Sequence, residues 1–156
     1  MGARLGIAVA VMVALAAADL AVKASLPSDP ALAHHRTQAW IGLSFGILLL
    51  VLLCTRLPSR LFAVGAGVFA GGIVGNLGSA ALHHRVIPNP FVVGEVAFNL
   101  ADTLIVSGLF LAGLAIMVLA VRHRHLLPTH TIPVRIVRYV IARRRRMIEN
   151  RPVAGG

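Results

Sequence analysis

The sequence is poor in cysteine, in charge and above all in acid. A single cysteine, Cys54, leaves no intrachain disulfide to form. It reads as an ordinary apolar helix residue. Charged residues account for 13% of the 156 positions, against about 25% in soluble domains, and 58% are hydrophobic. That balance reads as an integral membrane protein, and the length leaves no room for a second folded soluble domain. Metal-ligand spacing is missing too. His34 and His35 are adjacent, whereas two ligands on one helix face need a separation of three or four, and no cysteine or second acid gathers near them. No metal and no cofactor are expected.

Apolar runs fill the space that charge leaves. Leu5 to Val22 is interrupted only by Asp19 and covers about 27 Å as a helix. Arg4, the apolar stretch and Ala16-Ala17-Ala18 also have the outline of a secretory signal peptide. Against that, more spans follow, and Asp19 and Lys23 stand four apart, placing opposite charges on one helical face. The other runs cover about 39–57, 61–82 and 96–121, separated by a polar loop over 25–38, a basic Arg56-to-Arg60 turn and a second polar loop over 83–95. The third span carries Gly67, Gly71 and Gly75 at four-residue steps, and Ser79 extends the stripe. Small residues so spaced let another helix approach the backbone closely.

The expected fold is therefore all-α: a polytopic membrane protein of four transmembrane helices. Charge orients it. Arg4, Arg56, Arg60 and nine tail arginines fall on one side, and Lys23, Arg36 and Arg85 on the other. The positive-inside rule then makes both termini cytoplasmic.

Nine of the fifteen basic residues lie after Val121, so the net charge of +10 belongs mostly to the tail, residues 122–156. Within it Val137 and Ile141, and Ile136 and Val140, are one turn apart among Arg135, Arg138, Arg143, Arg144, Arg145 and Arg146. The expected form is an interfacial amphipathic helix on anionic lipid at the cytoplasmic face; the alternative is a solvated basic tail. Nucleic acid is not the expected partner, because only Tyr139 could stack on a base and no recognition motif is present.

Within this apolar chain, Asp102 stands out. A carboxylate at the centre of a membrane helix costs about 2.5 to 3.5 kcal/mol on insertion scales. Asn99 lies one turn before it, where an amide can hydrogen-bond and orient a carboxyl. The topology puts Asp19 and Lys23, Asn76 and Ser79, and Asn99 and Asp102 near the outer ends of three different spans. An internal hydrogen-bond network that fixes packing would explain this, and so would a functional site.

Asp19-Leu-Ala-Val-Lys23, Gly71-Gly72-Ile-Val-Gly75-Asn76-Leu77 and Phe98-Asn99-Leu100-Ala101-Asp102-Thr103, in that order on four spans, resemble signal peptidase II, the lipoprotein signal peptidase. The resemblance covers roughly residues 5–121. It implies a bacterial inner-membrane protein of the aspartic peptidase class that acts on lipidated prolipoproteins with two aspartates. Asp102 matches the fourth-span aspartate, and Asn76 and Asn99 match motif asparagines. At the aspartate of the third-span Gly-Asn-x-x-Asp-Arg motif this chain has Ser79, and the arginine position is Ala80. Half of the expected dyad is missing.

Other carboxyls are poor replacements. Glu95 is seven residues before Asp102 and reaches it only if the chain folds back, and Asp19 has Lys23 beside it. Ser79 with His83 four residues on would be a nucleophile and base, although serine in a glycine stripe is normally packing. The expectation is a catalytically silent relative that binds a membrane helix, a lipoprotein or a partner subunit. Its rivals are an active peptidase using Asp102 with a substitute partner, and a purely structural subunit.

Overall fold

A computed structural model describes residues 2–124. The tail arginines Arg135, Arg138, Arg143, Arg144, Arg145 and Arg146, and with them the amphipathic-helix expectation, lie outside the described residues.

Four helices dominate the described residues: α1 (Gly2–Ser25), α2 (Gln38–Cys54), α3 (Arg60–Leu82) and α4 (Leu100–Arg122). Three of them, α1, α3 and α4, are long and apolar enough to cross a membrane, and α2 is a shorter apolar helix. Side chains such as Leu43, Leu50, Val106 and Phe110 face outward, as the lipid-facing surface of a membrane protein requires.

The sequence accounts for the helix ends. Thr37 caps α2 by accepting from Trp40 N at 3.2 Å, and Ser59 caps α3 by accepting from Phe62 N at 3.1 Å. The α3 helix stops at His83, whose N–H still donates to Ser79 O. The chain then reverses through His84 and Arg85, both in the left-handed region with φ of 51° and 71°.

Three expectations need correction. The fourth span does not begin at residue 96, because Val96–Phe98 is a strand (β4) paired antiparallel with Phe91–Val93 (β3). Gly94, with φ of +61°, turns that hairpin. The run looked continuous because alternating strand residues and the helix after them are equally apolar. The fold is also not purely helical. His34–His35 (β1) pairs antiparallel with Val86–Ile87 (β2), bringing the two polar loops together, and a 3-10 turn at Pro30–Leu32 precedes β1. The second helix is shorter than its apolar run, ending at Cys54 rather than at residue 57.

Glycine sets the packing around α3. A Cβ at Gly67 would lie 2.7 Å from Ala8 O, one at Gly71 3.0 Å from Leu15 Cβ, and one at Gly75 2.6 Å from Asp19 Oδ2. Position advances together on both helices, so α1 and α3 run parallel. A second set of contacts goes to α4 in the opposite order. Gly65 packs on Ala112, Gly108 on Phe69, and Gly72 on Ala101 and Ile105. The α3 helix thus lies between α1 and α4 with backbone near backbone on both sides. Phe62, Ala66 and Ala115 form a small cluster with Val51, Cys54 and Leu57, which seats the end of α2.

Gly67→Leu should therefore destabilise the protein by about 2 kcal/mol or more, read as an earlier transition in a denaturant titration in detergent. A Cβ added at Gly46 on α2 would meet nothing within 4 Å, so Gly46→Leu should leave that transition within about 0.5 kcal/mol of the parent.

Candidate functional site

Where α1, α3 and α4 meet, their polar side chains join into one chain of hydrogen bonds. It begins on α1. Asp19 is wholly buried and Lys23 nearly so. Lys23 Nζ donates to Asp19 Oδ2 at 2.7 Å and to Asn76 Oδ1 on α3 at 2.9 Å. The other oxygen of Asp19, Oδ1, accepts from Ala101 N at 2.7 Å. That amide belongs to the first turn of α4, where free N–H groups and the helix dipole favour an anion. Gly75 leaves room for this carboxylate, since even a methyl group would collide with it.

Asn76 hands the connection on. Its Nδ2 donates to Asp102 Oδ1 at 3.1 Å. At the start of α4, Asn99 and Asp102 cap the helix reciprocally. Asp102 N donates to Asn99 Oδ1 at 3.1 Å, and Asn99 N donates to Asp102 Oδ2 at 3.2 Å. This is capping-box geometry built from asparagine and aspartate. It differs from the expected amide-to-carboxyl bond between the two side chains, because the Asn99 amide is turned elsewhere.

It is turned to Asn89. Asn99 Nδ2 donates to Asn89 Oδ1 at 2.8 Å, and Asn89 Nδ2 donates to Leu32 O at 2.9 Å and meets His34 Nδ1 at 2.6 Å. Asn89 is buried, held between Pro88 and Pro90. It ties the loop between α1 and α2, the β2 segment and the cap of α4 together. In the sequence it reads as an ordinary loop residue. Its signal was the Pro-Asn-Pro setting, but nothing local shows a partner ten residues away in sequence, still less one fifty-five away.

The sequence-selected residues therefore divide. Asp19, Lys23, Asn76, Asn99 and Asp102 come together, while Gly67, Gly71 and Gly75 pack α1 against α3. Ser79 is fully buried on α3, but its Oγ has no hydrogen-bond partner among the described residues. It touches neither Asp102 nor His83 through that oxygen, so the serine-base pair does not form. Glu95 sits in the β3–β4 turn and lines a cleft of about 380 Å3 with Leu32 and His34. No hydrogen bond among the described residues joins it to Asp102. Cys54 is unpaired, and no cluster of metal-ligating residues exists among the described residues.

Chemically, two acids sit on this network in different states of use. Asp19 is committed to a lysine and a helix amide. Asp102 is half-buried and receives hydrogen bonds from an asparagine amide and a backbone N–H. Among the described residues no hydrogen bond joins the Asp102 carboxyl to a second one, as two acids dividing one proton between them would require.

No protein-family model matches the chain, and no curated protein matches it. Among solved structures it is similar to a bacterial membrane enzyme determined in meso at 1.9 Å resolution. That likeness has a TM-score of 0.54 and 17% identity, covering 71% of this chain and 92% of the other. A second bacterial membrane enzyme, determined in meso at 2.3 Å, gives a TM-score of 0.47 at 17% identity over 72% of this chain and 88% of that one. The first likeness is one of fold.

Removing Lys23 leaves a buried carboxylate without its cation, so Lys23→Met should cost about 3 to 5 kcal/mol. Combining it with Asp19→Asn, which keeps the shape and the Ala101 contact, should cost less than Lys23→Met alone. Denaturant titrations of both variants in detergent test this sign.

Proposed function

We propose that this protein is a signal peptidase II-like bacterial inner-membrane protein that binds a membrane helix or a lipidated protein without cleaving it. In this reading α2 also crosses the bilayer, giving four spans, and both termini are cytoplasmic with the basic tail on anionic lipid. The fold shared with a bacterial membrane enzyme supports the scaffold, and the three motif segments support the family.

One observation carries the silent reading: the carboxylate of Asp102 meets amides where an aspartic peptidase needs a second acid. Asp19 cannot serve, because its two oxygens are engaged by Lys23 and by Ala101 N. Ser79, the position expected for the missing aspartate, makes no bond to Asp102. Asn89, one amide away through Asn99, is isosteric with aspartate and has no hydrogen bond to Lys23 among the described residues.

A cleavage assay on a diacylglyceryl-modified prolipoprotein peptide tests the proposal. The parent protein should show no cleavage above a no-enzyme control. Asn89→Asp and Ser79→Asp ask whether a restored acid revives a retained groove; activity in either variant supports loss of the dyad from a surviving scaffold. Cleavage by the parent that disappears in Asp102→Asn would overturn the silent reading and establish an unconventional peptidase.

A further inference from the structure

The reading of this chain as a binder of membrane helices leaves open what kind of helix it takes. We infer that Asp102 heads a docking face on α4 for a partner membrane helix that carries a lysine or arginine at the matching depth. The inference rests on that reading and makes it specific.

The face is defined by helical spacing. Asp102, Val106, Leu109, Gly113 and Ile116 follow one another at steps of four and three, so they share one stripe. Ala101, Gly108 and Ala115 form the neighbouring buried stripe, which is occupied by α3. Beyond Asp102, which Asn76 reaches from α3, the docking stripe is exposed. Val106 is 71% exposed, Leu109 63% and Ile116 50%. Gly113 opens a notch in its middle, since a Cβ there would meet nothing within 4 Å. Gly65, Gly72 and Gly108 each admit a neighbouring helix of this chain, whereas Gly113 admits none. A small residue on a lipid-facing helix is the place where another helix can come close.

Charge identifies the occupant. Asp102 stands at the head of this apolar stripe, half-buried, and the groups that bond its carboxylate are neutral: Asn76 Nδ2 and Asn99 N. The one lysine of the chain, Lys23, is held by Asp19 and Asn76. The ion pair formed among the described residues is the Lys23–Asp19 pair. Lys23 also acts on Asp102 through space, but its ammonium bonds Asp19 and Asn76. Two acids thus share one lysine, and a half-buried carboxylate so placed gains from a second cation brought by a partner. A helix packed in the Gly113 notch would bring its own side chains to that position. Gly42 and Gly46 on α2 also face open space, but no acid stands at their head and no partner chemistry follows from them.

The test uses the full-length protein in phosphatidylcholine vesicles, where no anionic lipid engages the basic tail. Synthetic single-span helices without tryptophan carry an acceptor dye and differ at one position, one turn inside one end: lysine, leucine or glutamate. Energy transfer from Trp40, the sole tryptophan, reports association. The lysine helix should bind about tenfold or more tightly than the leucine helix, and the glutamate helix no better than the leucine one. Asp102→Asn should erase the lysine preference. Gly113→Leu should weaken the lysine helix without changing the circular dichroism of the protein. Equal binding of all three helices, or a lysine preference that survives Asp102→Asn, would overturn this inference and leave the helix-binding reading standing. No association with any helix would overturn both.

Discussion

The buried ion pair between Lys23 and Asp19 is the constraint to which the other polar contacts answer. Neither charge reaches water, so each must be satisfied inside the protein. Asp19 needs more donor partners than one ammonium supplies, and the first turn of α4 provides the second through Ala101 N. Lys23 needs a second acceptor, and Asn76 on α3 provides it. Those two requirements fix three helices in depth and rotation relative to each other at one point. Asn76 then has its amide group left to donate, and it is Asp102 that receives it. The orientation of Asp102 is thus a consequence of how a charge on α1 is neutralised.

Glycine is what allows the arrangement. Between membrane helices there is no hydrophobic driving force like that in water, so close approach and polar contacts carry association. Gly75 makes the link explicit. It belongs to the stripe on which α1 lies, and it also leaves the space filled by the Asp19 carboxylate. On the other face of α3, Gly72 and, from α4, Gly108 bring the first turns of α4 near enough for the Asn76-to-Asp102 bond. The α1–α2 and α3–α4 connections complete the cap: Asn89 holds the Asn99 amide and reaches back to Leu32 and His34. What results is a hydrogen-bonded polar end on helices that turn many large apolar side chains outward.

Much of this was legible in the sequence, for reasons that also mark the limit. Long apolar runs marked the helices, four-residue glycine steps marked α3 as a face for close packing without naming the partner, and rare acids in apolar context marked Asp19 and Asp102. All of these are local or periodic signals. The start of α4 was not legible, because Val96, Ala97 and Phe98 are as apolar as the helix after them, and only pairing with Phe91–Val93 makes them a strand. The β1–β2 pair joins segments about fifty residues apart with no alternation long enough to announce it. Asn89 was invisible for the same reason. Ser79, singled out by its place in a motif, is buried and without a bond to Asp102, because motif spacing fixes a position along a helix but not the contacts of its side chain.

The central claim is that Lys23 neutralises Asp19 and leaves Asp102 to amides, and the composition allows it to be measured directly. Lys23 is the sole lysine, and Asp19, Asp29 and Asp102 are the three aspartates. Solid-state NMR of the protein in lipid bilayers, with nitrogen-15 at the lysine side chain and carbon-13 at the aspartate carboxyls, can therefore assign each contact by single substitutions. A strong Lys23-to-Asp19 coupling, matching the 2.7 Å separation of Nζ and Oδ2, with none of comparable strength to Asp102, is the result predicted. A coupling to Asp102 as strong as that to Asp19 would contradict the account, because Lys23 would then be the cation of Asp102 and its carboxylate would already be matched within the chain.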